Sequence, residues 1–117
     1  MPKILIVDDD STTVKLLQTL LRMDGFDVLI APRGQTAIEL VYAHAPDIML
    51  IDYHLTDMDG VEVVRKLRSD PRFAHMPIVV ASGLNVEDKA LAAGATAFLV
   101  KPFEPGNLAD MFLSLLG

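Results

Sequence analysis

The sequence predicts an α/β fold, a doubly wound five-stranded parallel sheet with helices on both faces. Short apolar runs alternate along the chain with segments in which apolar residues recur at helical spacing. The resulting order, βαβαβαβαβα, is typical of a parallel sheet covered by helices. The apolar runs also end in polar residues, and parallel strands bring such ends together at one edge of the sheet.

Each predicted strand is a short apolar segment bounded by polar or turn-forming residues. Because crossovers between parallel strands are right-handed, the strand order 2-1-3-4-5 is favoured, with a switch point between the first and third strands. The second strand is short and opens with an aspartate, which indicates a position near an edge of the sheet. The predicted strands are Lys3 to Val7, Asp27 to Ala31, Asp47 to Asp52, Ile78 to Ala81 and Ala97 to Val100.

The predicted helices follow from apolar spacing and from residues that start or stop a helix. Asp10 or Ser11 can cap the first helix, because a short side-chain oxygen there accepts an otherwise unpaired backbone N–H. Residues 71–77 are expected to form a surface loop, and the last helix is expected to begin after Glu104-Pro105. The inward positions are Val14, Leu17, Leu20 and Leu21; Ala37, Ile38 and Val41; Val61, Val64 and Leu67; an alanine-rich stretch from about Val86 to Ala93; and Leu108, Met111, Phe112 and Leu115.

Composition limits the classes of function. A chain of 117 residues is expected to form a single domain, residues 1–117, and its 51% apolar content suits a compact fold. There is no cysteine, so disulfides and thiolate metal sites are excluded, which is compatible with a cytoplasmic location. No apolar run approaches the length of a membrane span, about 18 residues. The net charge of −6 argues against direct binding of nucleic acid, which needs a basic face.

Polar side chains follow four of the predicted strands and are expected to meet at one edge. Asp8 and Asp9 follow the first strand, Asp52 ends the third, Ser82 follows the fourth and Lys101 follows the fifth. Close carboxylates repel one another, and Mg²⁺, which prefers oxygen ligands, relieves that repulsion. A carboxylate beside a metal ion and an ammonium can attack phosphorus, and Asp52 is the best nucleophile because it is single and central.

Four motifs carry a resemblance to a known family. Val7-Asp8-Asp9, Asp52 with Met58-Asp59-Gly60, Ser82-Gly83 and Lys101-Pro102-Phe103 occur in the order and spacing of the receiver domain of two-component response regulators. The resemblance extends over essentially the whole chain. It implies a flavodoxin-like fold and a signalling protein that catalyses only its own phosphorylation and dephosphorylation.

The resemblance also implies a role for each matched residue. Asp52 is the phosphoacceptor, and a sensor histidine kinase or a phosphotransfer protein supplies the phosphoryl group from a phosphohistidine. Ser82 and Lys101 contact the phosphoryl oxygens, and Phe98 together with Ser82 forms the switch. The implied Mg²⁺ ligands are Asp8 (through water), Asp9, Asp52 and the main-chain carbonyl of His54.

The output face is predicted from the positions of Ser82 and Phe98. These residues lie on neighbouring predicted strands, between the site and the face made by the fourth helix, the fifth strand and the fifth helix. Output is therefore expected through that face, toward an output domain, an effector protein or a second copy.

This chain departs from the family in one loop. Leu55-Thr56 stands where the family usually has Met-Pro, so the loop after Asp52 lacks a proline restraint. The Lys101–Pro102 bond matches one that is cis in the family. The chain is either a stand-alone receiver or part of a longer protein.

Other readings of these residues stay open at this stage. Asp10 is expected to be only a helix cap, and Phe98 could be a core residue without a switching role. A flavodoxin-type FMN carrier would need a phosphate-binding loop rich in Ser, Thr and Gly after the first strand, where this chain is acidic. A haloacid-dehalogenase-like phosphatase would place its nucleophile on the first strand, whereas Ser82 and Lys101 suit Asp52 better. The strongest alternative is a degenerate receiver that binds proteins without being phosphorylated.

Overall fold

A computed structural model describes residues 1–117 and confirms the predicted α/β architecture. The five strands form one sheet in the order β2-β1-β3-β4-β5, and every neighbouring pair is parallel. The strands are β1 (Lys3–Val7), β2 (Asp27–Ala31), β3 (Ile48–Asp52), β4 (Ile78–Ser82) and β5 (Ala97–Val100). The helices are α1 (Ser11–Met23), α2 (Gly34–His44), α3 (Gly60–Arg68), α4 (Glu87–Ala93) and α5 (Leu108–Leu116).

The core lies in two layers, one on each face of the sheet. Alternate side chains of a strand point to opposite faces, so each central strand supplies both layers. One layer packs beneath α2, α3 and α4, and the other packs beneath α1 and α5. From β1 and β3, the first layer receives Leu5, Val7, Met49 and Ile51, and the second receives Ile4, Ile6, Ile48 and Leu50. Burial on both faces explains why these strands are continuously apolar in sequence.

Two segments differ from the sequence prediction. Residues 71–77 are not a simple surface loop: Pro71–Phe73 form a 3-10 helix, and Phe73 and Met76 are buried in the layer beneath α2, α3 and α4. This segment therefore closes the core below the start of β4. A second 3-10 helix, Pro105–Asn107, precedes α5. No helix of the structure has the combination of length and hydropathy needed to cross a membrane.

Helix ends are fixed by the residues the sequence indicated. The carboxylate of Asp10 accepts hydrogen bonds from the backbone N–H groups of Thr12 and Thr13 and so caps α1, as predicted. Gly94 ends α4 in the left-handed conformation at φ 111°. Ala45 adopts the same conformation after α2 at φ 44°, which the sequence did not reveal because alanine rarely adopts it.

Candidate functional site

The acidic residues meet at the carboxyl edge of the sheet because β1 and β3 are neighbours. Val7 pairs with Ile51, so the residues that follow them, Asp8 and Asp52, emerge side by side. One carboxylate oxygen from each of Asp8, Asp9 and Asp52 lies within 4.8 Å of the others. Asp8 is buried, Asp52 is half-buried and Asp9 is exposed, so the cluster is open to solvent on one side.

Lys101 reaches this cluster from the edge strand. Its Nζ lies 3.2 Å from Oδ2 of Asp8 and 3.3 Å from Oδ1 of Asp52. The backbone N–H of Lys101 donates to the carbonyl of Ser82 at 2.8 Å, which continues the pairing of β5 with β4 up to the site. The Lys101–Pro102 peptide bond is cis, as the family resemblance implied.

The charges of the site shift two pKa values. Burial raises the pKa of the Asp52 carboxyl, and the negative charge of Asp8 adds to this, while the ammonium of Lys101 partly offsets it. For Lys101, burial disfavours the charged form, but the carboxylates of Asp8 and Asp52 outweigh it and raise the pKa of the ammonium. Lys101 therefore stays charged across the physiological range, and the cluster still carries an excess of negative charge.

The three consecutive aspartates have separate structural positions. The carboxylate of Asp8 turns into the site and also accepts the backbone N–H of Asp10 at 3.0 Å. Asp10 points away to cap α1, where its Oδ2 accepts the hydroxyl of Thr13 at 2.8 Å. Asp9 lies between them with an exposed side chain that belongs to the cluster. The structure thus brings Asp8 and Asp9 to Asp52 and leaves Asp10 with the helix.

Ser82 and Phe98 lie on the two strands beyond Asp52. Ser82 ends β4 and is buried, and its Oγ accepts the backbone N–H of Leu84 at 3.0 Å. Phe98 on β5 pairs with Val80 of β4 and is half-buried against the layer beneath α2, α3 and α4. Ser82 therefore lies on the strand between Asp52 and β5, and Phe98 lies on β5 itself.

The loop between Asp52 and α3 folds tightly against the strand end. His54 forms an isolated antiparallel bridge with Asp59, and the backbone N–H of Gly60 donates to the carbonyl of Tyr53 at 2.6 Å. The imidazole of His54 is exposed and packs edge-on against the ring of Tyr53, with 4.7 Å between ring centroids. His54 thus contributes its backbone to the loop next to Asp52, while its ring faces solvent.

Sequence analysis missed the part played by Asp57. Its carboxylate accepts the backbone N–H groups of Gly34 at 2.9 Å and of Gln35 at 3.0 Å, which ties the loop after β3 to the start of α2. A signal was present in the sequence: Arg33 precedes α2, and arginine has no oxygen with which to cap a helix. The helix therefore needed an acceptor from elsewhere, although the sequence did not say which one.

The donor set of the edge suits a hard divalent cation. Three carboxylates within 4.8 Å offer only oxygen ligands, and no cysteine or histidine side chain belongs to the group. Oxygen-only ligation with partial exposure is the environment in which Mg²⁺ keeps some of its waters. The ammonium of Lys101 forms ion pairs with Asp8 and Asp52, two of the three carboxylates. Asp9 has no ion pair with Lys101.

Carboxylates at the switch point and a lysine directly after the edge strand place the candidate site where doubly wound α/β domains bind their ligands. The protein-family model for the response regulator receiver domain matches residues 4–113 of this chain. The chain belongs to this family, and it is a receiver domain of a two-component system.

Individual relatives agree with the family assignment. The chain is 38% identical to the chemotaxis protein CheY1 of Helicobacter pylori over 120 residues, which cover 98% of this chain and 97% of that protein. It is 37% identical to the response regulator PleD of Caulobacter vibrioides over 105 residues, or 87% of this chain, but it spans only 23% of PleD. The solved structure of the chemotaxis protein CheY4 of Vibrio cholerae superposes with a TM-score of 0.91 at 28% identity, covering 98% of each chain.

Proposed function

We propose that this receiver domain accepts a phosphoryl group on Asp52 from the phosphohistidine of a sensor histidine kinase or a phosphotransfer protein. The observation that supports this most is the contact of Asp52 with Lys101 on one side and with the carboxylates of Asp8 and Asp9 on the other. Asp8 and Asp52 both lie next to the ammonium and the potential metal site, and Asp52 supports the proposal better because its side chain is the less buried of the two.

The reaction transfers one group between two side chains. An oxygen of the Asp52 carboxylate attacks phosphorus, the P–N bond of the phosphohistidine breaks, and the electron pair leaves with the imidazole nitrogen. The product is an aspartyl phosphate and a histidine that takes up a proton from water. Lys101 stabilises the negative charge on the phosphoryl oxygens, and the hydroxyl of Ser82 donates to one of them.

The residues that would hold Mg²⁺ are Asp9 and Asp52 directly, Asp8 through water, and the main-chain carbonyl of His54. When bound, the ion neutralises the carboxylates and polarises the phosphoryl oxygens. Burial raises the pKa of Asp52, which means that the ionised carboxylate is disfavoured in the folded protein. A positive charge from the ion would therefore stabilise this carboxylate more than it would stabilise an exposed one. Oxygen ligands of this kind are the ones Mg²⁺ prefers.

The proposed output is a change on the face formed by α4, β5 and α5. Apolar side chains are exposed on or beside these elements, at Leu84, Leu91, Val100 and Leu113. We propose that Ser82 and Phe98 link the site to this face, and that it contacts an effector protein, an output domain or a second copy of the receiver. The net charge of −6 argues against nucleic acid as the direct partner.

The proposal treats residues 1–117 as one receiver domain, either standing alone or joined to others. Because the chain spans 97% of CheY1 but 23% of PleD, both arrangements occur among its relatives. We place the domain in the cytoplasm, because a histidine kinase makes its phosphohistidine from ATP there. A binding module that is never phosphorylated is less favoured, since Asp8, Asp9, Asp52, Ser82 and Lys101 are all present.

The test is a phosphodonor assay. The protein is incubated with Mg²⁺ and acetyl phosphate, and the labile acyl phosphate adduct is mapped by mass spectrometry. We expect a single phosphoryl group on Asp52, no adduct in the presence of a chelator, and no adduct in Asp52→Asn. Undiminished labelling of Asp52→Asn would overturn the assignment of the phosphoacceptor, and absence of labelling in the wild type would favour the binding module.

A further inference from the structure

We propose that Asp57 is a positioning residue for the metal site, because it clamps the loop after β3 to the N-terminus of α2. The inference rests on the proposed function, since the loop carries the His54 carbonyl that would ligate Mg²⁺. Asp57 lies outside the acidic cluster and touches none of the groups that would react. Its effect is therefore exerted through the backbone of the loop.

Asp57 makes two charge-assisted hydrogen bonds to the N-terminus of α2. Both oxygens of Asp57 are used, Oδ1 by the N–H of Gly34 at 2.9 Å and Oδ2 by the N–H of Gln35 at 3.0 Å. Hydrogen bonds to a carboxylate are stronger than neutral ones, and the helix N-terminus attracts negative charge. These bonds lower the pKa of Asp57, so the carboxylate is ionised at neutral pH. No side-chain hydrogen bond within α2 itself caps the helix.

An apolar contact lies beside this polar one. Met58 packs against Gly34, and a Cβ placed on Gly34 would lie 2.6 Å from Cγ and 2.7 Å from Sδ of Met58. Side chains of consecutive loop residues thus meet the first turn of α2, one through its carboxylate and the other through its thioether chain.

The restraint reaches His54 through a short stretch of hydrogen-bonded backbone. The N–H of Leu55 donates to the carbonyl of Met58 at 3.3 Å, and His54 bridges to Asp59. The residues between Asp52 and Gly60 therefore form a closed unit, in which Asp57 and Met58 supply the attachment to α2. This attachment matters here because Leu55-Thr56 provides no proline to stiffen the loop.

Mg²⁺ makes strict demands on such a loop. The ion requires near-octahedral geometry with ligand distances of about 2.0–2.1 Å. A mobile loop carbonyl would therefore lower the affinity of the site for Mg²⁺. Groups that orient ligands without touching the metal typically contribute about 10-fold or more to its affinity. A clamp on the loop is thus expected to change metal binding, whereas a cap that stabilised only α2 would change stability alone.

The experiment compares Mg²⁺ affinities of the full chain without any phosphodonor, by following amide NMR shifts during titration with MgCl₂. Asp57→Ala removes the clamp, and Asp57→Asn removes the charge but keeps one acceptor oxygen. Asp70→Ala is the matched control. Its carboxylate likewise accepts a backbone N–H at a helix start, that of Arg72 at 3.0 Å, but it follows α3 at the amino-terminal edge of the sheet, away from the site. Amide hydrogen exchange in the metal-free proteins reports loop order independently.

We expect Asp57→Ala to bind Mg²⁺ about 10-fold more weakly than the wild type. Exchange should be faster in residues 54–60 and at Gly34 and Gln35. Asp57→Asn should lie closer to the wild type than to Asp57→Ala, and Asp70→Ala should bind as the wild type does.

Each contrary result has a distinct meaning. Equal affinity of Asp57→Ala and the wild type would overturn the clamp and leave the proposed function intact. A loss in Asp57→Asn as large as in Asp57→Ala, with amide exchange in residues 54–60 unchanged in both, would trace the effect to charge alone. An equal loss in Asp70→Ala would trace it to general destabilisation, and either result overturns the clamp. A wild type whose Mg²⁺ shifts avoid Asp8, Asp9 and Asp52 would overturn the proposed function and the clamp together.

Discussion

The ammonium of Lys101 lies 3.3 Å from Oδ1 of Asp52 and 3.2 Å from Oδ2 of Asp8. One cation from the edge strand thus spans carboxylates that end two other strands. The ammonium of Lys101 thus already contacts the carboxylate that we propose as the phosphoacceptor. The same side chain therefore stabilises the resting domain and is positioned to stabilise the phosphorylated one. In a variant that lacks it, the two effects can be measured separately, as a phosphorylation rate and as a free energy of unfolding.

Lys101→Met should weaken phosphorylation while sparing metal binding. We expect the rate of labelling by acetyl phosphate to fall about 100-fold, because a charge that stabilises the phosphoryl oxygens is lost. Mg²⁺ affinity, followed by amide NMR, should be equal or higher, since a competing cation is gone. A rate within a few-fold of the wild type would contradict the role given to Lys101.

The stability of Lys101→Met should depend on pH in a defined direction. Because the folded state raises the pKa of Lys101 above its ordinary 10.5, the ion pairs contribute fully below that pH and are lost as pH rises through the folded value. In urea unfolding without Mg²⁺, the variant should be less stable by about 1 kcal/mol at pH 7, a value reduced for its partial exposure. The difference should shrink above pH 10.5, and a constant difference would contradict the assignment.

Asp9→Ala should lose metal-dependent phosphorylation and keep its fold. Asp9 is the exposed member of the carboxylate cluster, so its removal deletes a proposed direct ligand without opening the core. The free energy of unfolding in the absence of Mg²⁺ should be unchanged or higher by about 0.5 kcal/mol, because repulsion from Asp8 and Asp52 falls. Titration with MgCl₂ and urea unfolding measure the two quantities, and wild-type Mg²⁺ affinity would contradict the ligand assignment.

Two glycines near the site should respond oppositely to alanine. A Cβ on Gly60 would collide with the backbone carbonyl oxygen of Asp52, whereas a Cβ on Gly83 would meet nothing within 4 Å. Since neither has positive φ, conformational strain does not confuse the comparison. Gly60→Ala should lose about 2–3 kcal/mol in urea unfolding, and Gly83→Ala should gain about 0.5 kcal/mol from a less flexible unfolded chain. Equal effects would contradict the close approach of α3 to β3.

The sequence predicted the fold and the acidic edge for a physical reason. Strands buried on both faces must be continuously apolar, so a polar residue at the end of such a run, such as Asp52, marks the sheet edge with little ambiguity. Asp8, Asp9, Ser82 and Lys101 stand at equivalent positions, and parallel topology brings them to that edge. The prediction needed no knowledge of side-chain contacts.

What the sequence did not predict depends on contacts between distant segments. Phe73 looked like part of a polar loop because its neighbours are polar, yet it fills the core below β4. Asp57 lies in Thr56-Asp57-Met58-Asp59-Gly60, a sequence typical of a turn, yet it caps a helix 23 residues away. A cap supplied from another segment leaves no local pattern, because helix-start rules describe only neighbouring residues.

Gly34 and Met58 should be energetically coupled. Alanine is ordinarily better than glycine in a helix, by about 1 kcal/mol, but here its Cβ would displace Met58. Gly34→Ala should therefore be destabilised in urea unfolding, whereas in a Met58→Ala background the same change should cost less, because only the 3.0 Å approach to Cγ2 of Val63 remains. The coupling in this double-mutant cycle should be about 1–2 kcal/mol, and additive effects would contradict the packing of the loop on α2.

Ser82→Ala should disconnect the phosphorylation site from the face formed by α4, β5 and α5. In the resting structure, the buried Oγ of Ser82 accepts the N–H of Leu84 at 3.0 Å, and Phe98 lies half-buried on the neighbouring strand. A phosphoryl oxygen on Asp52 would be a strong acceptor for the Ser82 hydroxyl. Drawing that hydroxyl inward would free space beside β4 into which the ring of Phe98 could turn, shifting an existing equilibrium between two arrangements.

Beryllofluoride, which mimics a phosphoryl group on Asp52, makes this measurable by amide NMR. In the wild type with Mg²⁺, we expect shifts both in the loops around Asp52 and in residues 84–112. In Ser82→Ala, shifts should persist around Asp52 but largely disappear from residues 84–112, because the link is missing while the acidic cluster is intact. Wild-type shifts confined to the loops around Asp52 would mean that the domain does not signal through this face. Full shifts at residues 84–112 in Ser82→Ala would mean that the signal takes another route, such as the loop that Asp57 attaches to α2.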